Sequence, residues 1–83
     1  MRIIEYSKQA QKFLDKQTKT VRERIINAIN GIPEGKGDIK PMEGGPGWRL
    51  RVGSYRVLFN DDGYILFIIR IRPRGDVYKG GKR

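Results

Sequence analysis

Cysteine and histidine are both absent from this chain of 83 residues. Without cysteine, neither a disulfide nor a thiolate metal site can form. Without histidine, the chain lacks the commonest metal ligand and the side chain that most often moves protons at neutral pH. Zinc sites built on these two residue types are therefore excluded. The sequence also shows no acidic cluster that would hold a metal, and no cofactor is expected.

Long apolar segments are missing as well. The longest apolar run, Ile65–Ile69, is far too short to cross a bilayer, and the charged N-terminal segment has no small-residue cleavage site. We therefore expect a cytoplasmic protein that does not act at a membrane. The length allows one domain over residues 1–83, with a core of modest size.

Acidic side chains are few compared with basic ones. The chain has 9 Asp and Glu against 18 Lys and Arg, a net charge of +9. The excess lies mainly in residues 45–83, which carry nine basic and three acidic side chains. Solubility alone rarely needs so one-sided a charge, and a membrane surface would instead favour an amphipathic basic helix. The charge therefore indicates a nucleic-acid ligand.

The hydrophobic pattern predicts a strand and two helices in the first half of the chain. A short strand over Arg2–Tyr6 leads into a helix that Ser7 can cap. A second helix is predicted over Thr18–Gly31, with a capping-box pattern at Thr20 and Glu23 and a left-handed glycine at its end.

Three strands are predicted in the second half. The Gly- and Pro-rich segment 33–47 lacks the GxxxxGK[ST] pattern of a phosphate loop and is interpreted as a connector. An antiparallel meander follows, over Trp48–Val52, Tyr55–Asn60 and Tyr64–Arg72. The order β-α-α-β-β-β predicts an α+β fold, in which a two-helix hairpin covers one face of an antiparallel sheet of about four strands.

Alternation along the meander separates apolar from basic side chains, because successive residues of a strand point to opposite faces. We expect the helices to cover the apolar set: Trp48, Leu50, Val52, Tyr55, Val57, Phe59, Ile65, Phe67, Ile69 and Ile71. The opposite face then carries five arginines: Arg49, Arg51, Arg56, Arg70 and Arg72.

No acidic residue of the meander alternates with these arginines, so ion pairs within the chain are not expected to be their main purpose. Guanidinium groups grip phosphate with a planar fork and stack on bases. The face is therefore predicted to bind nucleic acid. A solvated face without a ligand is the alternative, although such a face normally mixes charges of both signs.

Two segments of the chain resemble the RelE/ParE toxin superfamily. Gly47–Phe59, with the sequence GWRLRVGSYRVLF, looks like its signature, and Arg70–Tyr78, with RIRPRGDVY, looks like the C-terminus of its RelE branch. Together with the helical hairpin, the resemblance spans essentially the whole chain. It implies the toxin of a type II toxin–antitoxin system, a ribosome-dependent endoribonuclease that inhibits translation. Such enzymes cut messenger RNA without a metal, through attack by the RNA's own 2′-hydroxyl.

The resemblance also implies roles for individual residues. Arg56 matches a phosphate-binding arginine, Arg72 a second catalytic arginine and Tyr78 the C-terminal tyrosine of the family, so these three are the candidate catalytic residues. Arg49 and Arg51 match two basic strand residues that are lysines in well-known members. Arginine stays protonated at neutral pH, so it clamps charge well and shuttles protons poorly.

Two further arginines, Arg70 and Arg74, are candidate RNA-binding residues beside Arg49 and Arg51. The partners that the resemblance implies are messenger RNA in the ribosomal A site, ribosomal RNA and a cognate antitoxin. The antitoxin of so basic a toxin is expected to be an acidic, partly disordered chain. Two alternatives stay open, since fold does not fix function: a ParE-like protein that inhibits DNA gyrase by binding it, and a non-catalytic RNA-binding module.

Overall fold

Two helices and five strands make up residues 3–73, the part of the chain that the computed structural model describes. A 3-10 turn, Ile32–Glu34, lies between the second helix and the second strand. The elements in chain order are β1 (Ile3–Tyr6), α1 (Lys8–Asp15), α2 (Lys19–Asn30), β2 (Asp38–Pro41), β3 (Trp48–Val52), β4 (Tyr55–Asp61) and β5 (Ile65–Pro73). The predicted α+β class and its helical hairpin are confirmed.

The strands form one sheet in the order β1-β5-β4-β3-β2. The pairs β2–β3, β3–β4 and β4–β5 are antiparallel, whereas β1 runs parallel to β5, with Ile3 opposite Ile65 and Tyr6 opposite Ile68. The sheet is therefore mixed and has one strand more than expected. The parallel pairing follows from the helical hairpin, which is long enough to carry the chain across the sheet between β1 and the meander.

The additional strand, β2, lies in the segment interpreted as a connector. Only Ile39 of its four residues packs towards the core, so its sequence carries no hydrophobic alternation. Pro41 is tolerated because β2 is an edge strand, and the backbone nitrogen of an edge residue need not bond to a neighbour. Pairing with β3, rather than local propensity, makes this segment a strand.

Side-chain caps begin both helices. As predicted, Ser7 caps α1: its Oγ accepts a hydrogen bond from the Ala10 N–H at 3.0 Å. The α2 cap is Thr18, whose Oγ1 accepts from the Val21 N–H at 3.3 Å. The predicted capping box at Thr20 and Glu23 is therefore wrong, because the helix begins two residues earlier than that box requires.

The end of α2 also differs from the prediction. Gly31 keeps a right-handed conformation, with φ −83°, because the chain continues into the 3-10 turn instead of reversing. The left-handed residue is Gly35, with φ 77°, at the end of that turn. The chain therefore changes direction after the 3-10 turn, at Gly35, and not at the end of α2 as the sequence suggested.

The core lies between the two helices and one face of the sheet. Its buried side chains are Ala10, Leu14, Ile25, Ile29, Ile32, Leu50, Val52, Val57, Phe59, Leu66, Ile68 and Ile71. In β3 and β4 the buried residues follow the predicted alternation, except that Trp48, near the edge of the sheet, remains exposed.

In β5 the alternation changes phase. Leu66 and Ile68 are fully buried, whereas Phe67 is exposed. The prediction that Ile65, Phe67 and Ile69 face the helices is therefore wrong.

A β-bulge causes the change. Leu58 lies opposite Arg70 and Phe59 opposite Ile68, so β5 contains Ile69 as an extra residue between the two pairs. An inserted residue reverses the faces on either side of it. Because the bulge precedes Arg70, this arginine still lies on the predicted open face.

Candidate nucleic-acid interface

The sheet face that the helices leave uncovered carries two rows of cross-strand neighbours on β2 to β5. The first row is Asp38, Arg51, Arg56 and Arg72, and the second is Lys40, Arg49, Leu58 and Arg70. Directly opposite residues have Cβ atoms about 5 Å apart. The structure therefore brings together the five arginines predicted from the meander. We call this surface the arginine face: Lys40, Arg49, Arg51, Arg56, Arg70 and Arg72.

An open pocket of about 650 Å³ lies on the arginine face. This volume falls within the range of small-molecule and cofactor sites. Its lining residues are Lys40, Pro41, Met42, Glu43, Arg49, Arg56, Leu58 and Arg72. Three of the predicted arginines thus converge on one cavity, whose lining also includes the apolar side chain of Leu58.

The arginines of the pocket are not paired with any carboxylate of the described residues. Within residues 3–73, no carboxylate oxygen lies within 4.0 Å of the guanidinium of Arg49, Arg56 or Arg72. The Arg49 Nε is buried and has no hydrogen-bond partner in the same part of the chain. A buried donor without a partner is destabilising, and an anionic oxygen entering the pocket would satisfy it.

Arg51 and Arg70 lie outside the pocket lining. The Arg51 Nε is 3.7 Å from an Asp38 carboxylate oxygen, and the Arg70 Nε donates to Gln9 Oε1 at 3.2 Å. The expectation that these arginines lack an acidic neighbour is thus corrected for Arg51, whose partner comes from the unpredicted strand β2. Both contacts are exposed and therefore weak, so both side chains remain available at the flanks of the pocket.

Two charged residues of the pocket were missed by the sequence analysis, Lys40 and Glu43. Both belong to the hairpin that joins β2 to β3, within the segment interpreted as a connector. The sequence did offer one sign of this hairpin, the glycine directly before Trp48. In the structure Gly47 has a φ of 107°, and its carbonyl accepts a hydrogen bond from the Met42 N–H at 3.1 Å. Positive φ at a hairpin end is typical of glycine.

Arg74 and Tyr78 lie outside the described residues, so their predicted roles remain predictions. Over residues 3–73, no group of three or more Asp and Glu side chains is arranged to hold a metal ion. Nor does any helix of this range have the length and apolar character needed to cross a membrane.

Two comparisons relate this chain to known proteins. A sequence model described as the ParE toxin of type II toxin–antitoxin system, parDE, matches residues 4–78. No curated protein sequence matches significantly.

Among solved structures, the archaeal RelE–RelB complex from Pyrococcus horikoshii OT3 is similar, with 26% sequence identity and a TM-score of 0.71 over 89% of this chain and 96% of that chain. The RelB–RelE antitoxin–toxin complex from Methanococcus jannaschii gives 26% identity and a TM-score of 0.70, covering 92% and 96%. The isolated E. coli RelE toxin, at 20% identity and a TM-score of 0.72 over 96% and 94%, shares the fold.

The family match runs from β1 through the arginine face to the position of Tyr78. It includes the segments from which the resemblance was inferred. The chain therefore belongs to the ParE toxin family of type II toxin–antitoxin systems, within the RelE/ParE superfamily.

Proposed function

We propose that this toxin is a ribosome-dependent endoribonuclease that cuts messenger RNA and so inhibits translation. The observation that carries the proposal is the pocket in which Arg49, Arg56 and Arg72 converge without a carboxylate partner among residues 3–73. Such a cavity suits a phosphate group, whose oxygens would accept the hydrogen bonds that the guanidiniums have available.

Cleavage by the 2′-hydroxyl of RNA passes through a pentavalent phosphate that carries more negative charge than the starting diester. Arg56 and Arg72 lie on adjacent strands, directly opposite each other, and both line the pocket. Guanidiniums fixed in this way stabilise the charge that develops during the reaction. In this proposal Tyr78 orients the 2′-hydroxyl, and Arg51, Arg70 and Arg74 bind the RNA backbone on either side.

The proposed partners are messenger RNA in the A site, ribosomal RNA and an antitoxin. The two archaeal structures similar to this chain are complexes of RelE with RelB. An acidic antitoxin would complement the net charge of +9 and cover the arginine face. The ribosome would supply the orientation of the RNA that a small, open site provides poorly by itself.

A second candidate function is inhibition of DNA gyrase by binding. The observation in its favour is the description of the matching family, which names the ParE toxin. The two candidates share a fold and differ in what the arginine face does. Binding to a protein requires no cavity in which several guanidiniums converge, and this favours the nuclease.

The test presents the toxin with ribosomes stalled on a defined message and maps the 5′ ends of the products. We expect cuts within the A-site codon. A parallel reaction measures DNA supercoiling by gyrase in the presence of the toxin. An intact message together with blocked supercoiling would establish the gyrase candidate, whereas RNA binding without either activity would indicate a non-catalytic module.

The affinity for single-stranded RNA should fall steeply with salt, because bound phosphates release their counterions. Each phosphate contact contributes about 0.7 to the slope of log affinity against log salt concentration for a single strand. The double variant Arg49→Ala/Arg51→Ala should therefore flatten the slope by about 1.4. The matched control, Lys12→Ala/Lys19→Ala, removes the same charge from the helices and should leave the slope nearly unchanged. Equal slopes for all three proteins would place the RNA elsewhere.

A further inference from the structure

Among the described residues, 3–73, Glu43 is the single carboxylate that lines the pocket of the arginine face. It is exposed, and within residues 3–73 it takes part in no ion pair or hydrogen bond. A carboxylate placed beside several guanidiniums only to neutralise them would be expected to pair with one. Glu43 instead leaves both its own oxygens and the neighbouring arginines available to a ligand.

The composition of the pocket gives this carboxylate a chemical role. Arginine and lysine are protonated at neutral pH and cannot readily accept a proton, and the chain has no histidine and no cysteine. Attack by a 2′-hydroxyl requires a group that takes its proton. Of the described side chains that line the pocket, only the carboxylate of Glu43 can take up this proton.

The hairpin loop between β2 and β3 places Glu43 in the lining of the pocket. The Met42 N–H donates to the carbonyl of Gly47 at 3.1 Å, which closes the loop directly beside Glu43. Gly47 itself lies close to β4, since a Cβ atom there would stand 3.0 Å from Asn60 Oδ1 and 3.2 Å from the Phe59 carbonyl oxygen. The loop is thus fixed to the same sheet that carries the arginines.

We propose that Glu43 is the general base of the cleavage reaction, an assignment that rests on the proposed nuclease function. Its carboxylate takes the proton of the 2′-hydroxyl while the 2′-oxygen forms a bond to phosphorus. The bond from phosphorus to the 5′-oxygen breaks, which leaves a 2′,3′-cyclic phosphate. The departing 5′-oxygen takes a proton from water, and the hydroxide left behind takes the proton from Glu43, so the products are the cyclic phosphate and a 5′-hydroxyl and the carboxylate is regenerated. Arg49, Arg56 and Arg72 hold the phosphate during this transfer.

The test measures single-turnover cleavage of a message on stalled ribosomes by Glu43→Ala and by the isosteric Glu43→Gln. Loss of a general base lowers such a rate by about 10²-fold or more. The affinity for RNA should stay the same or increase, because a negative charge is removed beside the phosphate. If Glu43 only bound the substrate, its substitution would lower both the cleavage rate and the affinity for RNA. Added sodium formate should restore at least part of the Glu43→Ala rate, since a free carboxylate can enter the vacated space, whereas sodium chloride at equal ionic strength should not.

The matched control is Glu5→Ala, which removes the same charge from an exposed position opposite Phe67 on β5, away from the pocket. It should cleave at the wild-type rate. Full activity of either Glu43 variant, or a loss that formate does not restore, would overturn the assignment and leave the nuclease function intact. Failure of the wild-type toxin to cut the message would overturn both.

Discussion

Replacing Arg72 with alanine should slow cleavage of a ribosome-bound message by about 10²–10³-fold. Arg72 lines the pocket opposite Arg56, where its guanidinium can meet the charge that develops on the phosphate as the 2′-oxygen attacks. An interaction that strengthens only in the transition state lowers the rate far more than it lowers affinity. The measurement is the single-turnover rate at saturating toxin, beside the affinity for the same RNA.

The structure offers a close control for this variant. Arg70 lies two residues away on the same strand and face, but outside the pocket, where it donates to Gln9. Arg70→Ala removes the same charge and should lower the rate by less than about tenfold, chiefly through weaker backbone binding. Equal losses for the two variants would mean that the arginines act as a general electrostatic surface, without a distinct role for Arg72 in the chemistry.

The Arg72→Ala variant should be at least as stable as the wild type, although it cleaves more slowly. Arg51, Arg56 and Arg72 lie side by side on three adjacent strands, and like charges directly opposite each other destabilise a sheet. The melting temperature of Arg72→Ala should therefore equal or exceed that of the wild type. Loss of activity without loss of stability is the pattern expected of a binding site in which like charges lower the stability of the fold but are needed to bind the ligand.

The second large effect concerns the bulge in β5. Ile68→Ala should lower the free energy of unfolding by about 2–5 kcal/mol, because Ile68 is fully buried between sheet and helices. Ile69→Ala removes the same atoms from the half-buried side chain of the inserted bulge residue. It should cost roughly half as much or less, since less apolar surface returns to water.

Urea unfolding of the two variants measures this difference directly, and in a domain of this size each 1 kcal/mol corresponds to about 4–8 °C in melting temperature. A larger loss for Ile69→Ala would mean that β5 alternates without a bulge, as the sequence pattern suggested. The faces of Leu66 and Phe67 would then be exchanged as well. Because Arg70 and Arg72 follow the bulge, their place on the arginine face does not depend on this outcome.

Much of the site can be predicted from the sequence where one local rule governs the outcome. In β3 and β4, strict alternation puts Leu50 and Val57 in the core and Arg49 and Arg56 on the opposite face, and the structure agrees. The predicted bounds of these two strands agree with the structure to within one residue, because turn residues follow each of them. The Ser7 cap is equally local, since it depends on a hydroxyl three residues before the N–H that it accepts from.

The remaining features depend on contacts between segments distant in sequence. β2 has too few apolar residues to be predicted as a strand and exists because β3 offers an edge to pair with. The bulge at Ile69 is set by the packing of β5 against β4, and alternation cannot show where a residue will be inserted. The parallel pairing of β1 with β5 joins segments about sixty residues apart.

These long-range pairings are also what complete the pocket. The basic residues of the meander could be assigned to one face from their spacing alone, because a side chain's direction on a strand is a property of the backbone. The positions of Lys40 and Glu43 beside them depend on where the β2–β3 hairpin folds back, and that requires Gly47 to lie against β4. A charge pattern along a chain thus indicated a polyanionic ligand, whereas the presence of a carboxylate among the arginines emerged only from the packing of the sheet.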